Sequence, residues 1–243
     1  MPVIDTHITH YKVPFFGNPN GVSCGQCVYK MVLSCFEPDG DWSFSRMDDF
    51  CGALPGKYTW PYKPLTELGR MGFDIVSYST FDTHAFLQDP EGYLTQIYGA
   101  DGCRDNISNS DMPSVLAQAR EYLEHVGAGK IKRHNTNYNA DDLRRIIDDG
   151  YLAILWVNSS KLNGQDGYTG HFILVYNYDE NHFIAHDPGG NDAAGKPENQ
   201  FADRRIGYSD LIAAASPRVS GETSNLIAVR KSNSVKVENA KTY

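Results

Sequence analysis

Residues 170–190 read Gly-His-Phe-Ile-Leu-Val-Tyr-Asn-Tyr-Asp-Glu-Asn-His-Phe-Ile-Ala-His-Asp-Pro-Gly-Gly, two apolar runs separated by a polar connector. The first run, 171–176, opens on His171 just after the glycine-containing loop 164–170. The second, 182–187, closes on Asp187, and Pro188-Gly189-Gly190 sets a turn beyond it. Short runs rich in aromatic and β-branched residues, bounded by turn formers, predict strands. With the connector 177–181 between them they predict an antiparallel hairpin. A register symmetric about Asp179 sets His171 directly opposite Asp187 on one face, with Cβ atoms roughly 5 Å apart. A slip of one residue would part them.

Working outward, further strands are predicted at 73–78, 131–134, 151–157 and 226–229, and a short edge strand at 11–16, where Pro14 confines it to an edge. Residues 17–21, Gly-Asn-Pro-Asn-Gly, form a dense turn signal. Immediately beyond, Cys27, Val28, Met31, Val32 and Cys35 recur on one side of a helix over 24–36. Helices are also predicted at 44–51, 64–70, 141–149 and 209–215, and the stretch 81–127 reads as mostly helical, most clearly at 113–125. The class is therefore α+β: a helical lobe at about 24–127, then a lobe built on an antiparallel sheet at about 128–230. Together they make one domain over 1–232, with a polar tail at 233–243.

Composition narrows the function classes. The 243 residues carry 30 acidic and 22 basic side chains, a formal net charge of −8, with no block of Lys or Arg. Such a chain is a poor nucleic-acid binder. No apolar run reaches the roughly 18 residues of a membrane span. The N-terminus has no basic stretch followed by an apolar one, so no signal peptide is expected and a cytoplasmic protein is. Five cysteines cannot all pair within the chain, which fits free thiols in a reducing compartment. Nothing in the sequence specifies an oligomeric state.

Among these thiols Cys24 stands where a turn-rich loop meets a helix. Unpaired backbone N–H groups and the helix dipole there favour the thiolate. Cys27 falls on the apolar helix face and reads as a small buried hydrophobe. A nucleophilic cysteine needs an imidazole to share its proton, and the imidazole needs an orienting partner; His171 with Asp187 supplies both. His182 and His186 alternate onto the other face, and His7 and His10 lie in the N-terminal lead-in. Two ordinary core thiols, or a thioredoxin-like redox pair at Cys24 and Cys27, are the competing readings. A zinc site lacks a second cluster of ligands, and no cofactor or metal is expected.

Three segments in order, residues 23–33 (Ser-Cys-Gly-Gln-Cys-Val-Tyr-Lys-Met-Val-Leu), 170–176 and 186–190, resemble the peptidase C39-like branch of the papain-like cysteine proteases. That family opens a helix with Cys-Gly, starts a strand with His and ends the next with Asp-Pro. Residues 141–157 are similar to its helix-Gly-strand approach to the sheet. His171 lies 147 positions after Cys24, within the ~130–150 typical of papain-type enzymes. The resemblance implies a papain-like fold with Cys24 as nucleophile, His171 as acid/base and Asp187 as the orienting group. It also implies an oxyanion-stabilising amide six residues before the nucleophile, a Gln in the family and Asn18 here. Cys-Gly-Gln-Cys-Val-Tyr also echoes the papain string in which the second Cys reacts, which would make Cys27 the nucleophile. The implied activity is hydrolysis of a peptide or amide substrate through an acyl-enzyme. Acyl transfer to an amine or thiol, or a catalytically weak peptide-binding module, are the alternatives.

Overall fold

The computed structural model describes residues 11–190, 199–216 and 225–232. His7, His10 and the polar tail at 233–243 lie outside them. After an extended lead-in come α1 (Cys24–Phe36), α2 (Phe44–Cys51), α3 (Tyr62–Arg70), β1 (Phe73–Ser79), α4 (Thr83–Gln88), α5 (Pro90–Ser108) and α6 (Met112–Gly127). The remaining elements are β2 (Ile131–His134), α7 (Ala140–Asp148), β3 (Leu152–Asn158), α8 (Ser159–Leu162), β4 (Gly170–Tyr178), β5 (His182–Asp187), β6 (Phe201–Gly207), α9 (Tyr208–Ala215) and β7 (Asn225–Lys231). The protein is thus mixed α and β.

Among the described residues seven strands join one sheet in the order β2-β1-β7-β3-β4-β5-β6. Two expectations change. The sheet is mixed, because β1 and β2 run parallel; the long crossover through α4, α5 and α6 is the connection such a pair needs. β1 also shows that the helix-rich stretch feeds the sheet: it pairs antiparallel with β7, which in turn pairs with β3. Helices cover both faces. Along β3, Leu152 and Ile154 enter the core shared with α1, α3 and α6, while Ala153, Leu155 and Val157 enter the one shared with α7 and α9. A strand buried on both sides reads as a continuous apolar run, as residues 151–157 do.

Local chemistry sets several boundaries. The Asn139 side chain accepts from the Asp142 N–H and the Asp142 side chain from the Asn139 N–H, a reciprocal cap that starts α7. Asp82 caps α4 by accepting from the His84 and Ala85 N–H groups, and Asp89 caps α5 by accepting from the Gly92 N–H. Within α5 the backbone departs from helical at Gly99, whose φ of 74° suits glycine alone among the residues there.

Residues 11–16 form no strand. The segment joins no ladder, and its backbone is held by a side chain from β5. Buried His186 bonds through Nε2 to the Val13 carbonyl at 3.0 Å, while its Nδ1 accepts from the Asp203 N–H at 3.1 Å. Both contacts are met only by the neutral ring, and burial holds the His186 pKa below its ordinary value despite the opposing pull of Val13 and Asp203. The folded protein therefore takes up this proton less readily than the unfolded chain. Its contribution is complete above the ordinary histidine value of about 6.5 and is lost as pH falls toward the depressed one. In urea unfolding, the midpoint at about pH 5 relative to that at about pH 7.5 should stand higher in His186→Gln than in the wild type, since the variant lacks this acid-sensitive group.

Candidate active site

Asp187 and His171 meet, though not in the expected register. The hairpin turns between Tyr178 and Phe183, so its centre lies later than Asp179, and Tyr178 pairs with Phe183 and Asn177 with Ile184. A β-bulge then sets Tyr176 aside, and Val175 pairs with Ala185 and Leu174 with His186. Continued one step, this register puts Asp187 opposite Ile173, a diagonal neighbour of His171 rather than its direct partner. The displacement is two residues, an even number, so both side chains still share a face. Without the bulge the displacement would be odd, and Asp187 would point to the opposite side from His171.

His171 Nε2 stands 2.8 Å from Asp187 Oδ1, and both residues are only 2% exposed. A carboxylate this deep is costly unless each oxygen is partnered. Asp187 Oδ1 also accepts the Gly189 N–H at 3.0 Å, and Oδ2 accepts from Arg204 Nη1 at 2.6 Å. Burial pushes the carboxyl pKa up, yet the His171 hydrogen bond and charge, Gly189 and Arg204 outweigh it and hold Asp187 below the usual carboxylate range. His171 is displaced the other way. Burial works against its charge, but hydrogen bonds to Asp187 and Cys24 and the charges of both raise its pKa. With Nε2–H directed at Asp187, Nδ1 is the ring nitrogen left for the thiol.

Cys24 opens α1, which no side chain caps at Ser23; the N–H groups of its first turn are therefore free to face an anion. Burial raises the thiol pKa, and the His171 hydrogen bond and charge, with the backbone N–H groups of Phe172 and Gly25, more than reverse it. Three other thiols are raised. Burial takes Cys27 up to about 12 and Cys35 up to about 11, and Cys51 is higher still. Cys27 is fully buried on the inner face of α1, whereas Cys24 keeps part of its surface open. Geometry thus brings Cys24, not Cys27, to His171.

Asn18 is buried, and its amide joins two loops. Its Oδ1 accepts from Ser23 N–H at 3.1 Å, its Nδ2 donates to the Gly189 carbonyl at 3.0 Å, and its own N–H donates to the Pro188 carbonyl at 2.8 Å. The residue before α1 is thereby tied to the turn after Asp187. One Nδ2 hydrogen is used in this clamp and a second remains. Of the other histidines on this hairpin, His186 bonds to the Val13 carbonyl, a partner the sequence did not suggest, and His182 sits at the hairpin turn beside Asp179. Among the described residues no group of three or more His, Cys, Asp and Glu side chains is arranged to hold a metal ion, and no helix is long and apolar enough to cross a membrane.

Two residues around the site had no place in the sequence reading. Gln200 donates from Nε2 to the Asn18 carbonyl at 2.9 Å. It lies so close to Gly17 and Gly189 that a Cβ on either would fall 2.1 Å from its Oε1 or 2.7 Å from its Cγ. Arg204 is the other, on β6, a strand the sequence reading did not contain.

The model of a family described as Peptidase_C39 like family matches residues 100–211. That stretch contains His171, Asp187 and Arg204 but not Cys24 or Asn18, so it covers segments 170–176 and 186–190 of the resemblance and not 23–33. No curated protein matches the chain.

Removing the Asn18 amide leaves the Ser23 N–H and the Gly189 carbonyl without partners in a buried place. Asn18→Ala should lower the unfolding free energy by about 1–3 kcal/mol, measured by urea denaturation.

Proposed function

We propose that the protein is a papain-like cysteine peptidase or amidase that cuts a peptide or amide bond through Cys24, His171 and Asp187. The observation that carries this reading is the buried Asp187–His171 hydrogen bond beside a helix-opening thiol whose pKa is lowered while the other shifted thiols rise. The family match supports the same class. The order of elements, with the thiol on the first helix and the imidazole and carboxylate on neighbouring sheet strands, supports a papain-like reading of the fold.

In this reading the Cys24 thiolate attacks the substrate carbonyl carbon, a C–S bond forms, and the carbonyl oxygen takes the negative charge. The Cys24 backbone N–H and the second Nδ2 hydrogen of Asn18 stabilise that oxyanion. The His171 imidazolium gives its Nδ1 proton to the departing nitrogen, and the C–N bond breaks to leave a thioester and a free amine. Neutral His171 then takes a proton from water as the oxygen attacks the thioester. The C–S bond breaks, the acid leaves, and the thiolate–imidazolium pair is restored. Asp187 keeps its charge throughout, fixing the ring tautomer and favouring the imidazolium.

The test is the pH dependence of iodoacetamide labelling, mapped to each cysteine by mass spectrometry. Cys24 should label fastest, with an apparent pKa well below the free value of about 8.5, and His171→Ala should abolish the advantage. Labelling of Cys24 at the rate and pKa of an ordinary thiol would sink the peptidase reading and leave a binding scaffold.

A further inference from the structure

Arg204 makes more contacts around the candidate site than a surface ion pair requires. Its Nη1 donates to Asp187 Oδ2 at 2.6 Å, on the oxygen His171 does not use. Its Nη2 donates to the Leu162 carbonyl at 2.9 Å and to Asn163 Oδ1 at 2.8 Å. Leu162 ends α8, and the chain from Asn163 runs to Gly170, where β4 and then His171 begin. That connector is itself fastened, with the Ser159 N–H on the Thr169 carbonyl and the Thr169 N–H on Asn158 Oδ1. One planar guanidinium therefore bridges the carboxylate that orients the imidazole and the turn that leads into the imidazole's own strand. The Phe201 ring lies 4.9 Å from the guanidinium carbon, and the Arg204 side chain is 16% exposed.

The backbone is shaped to allow this. β5 and β6 change register between Ala185 and Asp187, where β6 carries an extra residue, and Asp203 in that bulge has a φ of 53°. Arg204 pairs with Ala185, so it shares the face of Asp187 one diagonal step away. The charged groups facing Asp187 are His171 from β4 and Arg204 from β6, with the Gly189 N–H completing its partners.

We propose that Arg204 is a positioning residue: by bridging Asp187 Oδ2 to the α8 turn it fixes the carboxylate in the one orientation that aligns His171 toward Cys24. The role rests on the thiol-enzyme reading for its consequence at Cys24. The contact with the imidazole stands apart from that reading. A lysine keeps the charge but has no planar fork to span both anchors.

The test compares wild type, Arg204→Met and Arg204→Lys by two readouts: the acid midpoint of iodoacetamide labelling at Cys24, and the low-field proton resonance of the His171 Nε2–H. In Arg204→Met the midpoint should rise by about one pH unit, which is ~10-fold slower labelling on the acid limb, and the resonance should broaden by solvent exchange. Arg204→Lys should return the midpoint toward wild type while the resonance stays broadened. A folded Arg204→Met protein with the wild-type midpoint and a sharp resonance would overturn the proposal. Should Arg204→Met fail to fold, Arg204→Lys decides alone: a wild-type resonance in it overturns the role, and a broadened one supports it. Ordinary thiol behaviour of Cys24 in the wild type defeats the enzyme reading instead, and the resonance still reports on Arg204.

Discussion

A side chain on a strand can face only two ways, and the arrangement at the sheet's His171 end depends on that parity. The hairpin between β4 and β5 turns one and a half residues later than symmetry about Asp179 would have it. A half-integral displacement of the turn changes the pairing by an odd number of residues, which would put Asp187 on the wrong face. Setting Tyr176 out of the ladder restores an even count. The bulged residue is itself held, its ring 4.7 Å from His186 and its hydroxyl on Asp203. One inserted residue thus decides whether a buried carboxylate meets an imidazole or faces away from it.

Burial and charge then work together. Asp187 is ionised in a place that disfavours charge, and it is so because three donors converge on its two oxygens. That fixed negative charge favours the imidazolium, and the imidazolium favours the thiolate at the start of α1. Each step borrows its direction from the one beneath it, so the lowering at Cys24 runs through His171 to the partners of Asp187. The same burial, without partners, has the opposite effect on Cys27, Cys35 and Cys51.

Much of this was legible in the residues, and the rest was hidden for physical reasons. The helix at Cys24–Phe36 announced itself through apolar spacing, and the β4 and β5 runs through their turn-bounded apolar content. The bulge did not, because Tyr176 is as good a strand former as its neighbours and no Gly or Pro marks it. β6 was invisible because Phe-Ala-Asp-Arg-Arg-Ile-Gly carries three consecutive charges and is exposed along much of its length, as edge strands often are. Arg204 and Gln200 were lost with it. Residues 11–16 misled in the other direction: an apolar extended segment with Pro14 reads as an edge strand, but what holds it is a histidine 173 positions away.

The position of β7 has a consequence in time. Residues 225–231 do not close the sheet at an edge; they lie between β1 and β3, joining the strands that follow the early helices to those that carry His171 and Asp187. A chain growing from the ribosome at roughly 5–20 residues per second completes Cys24 long before that strand emerges. Until it arrives, β1 and β3 have no shared neighbour, and the sheet is in two pieces, β2 with β1 and β3 with β4, β5 and β6. Among the described strands, the last one made is thus the one that unites the sheet.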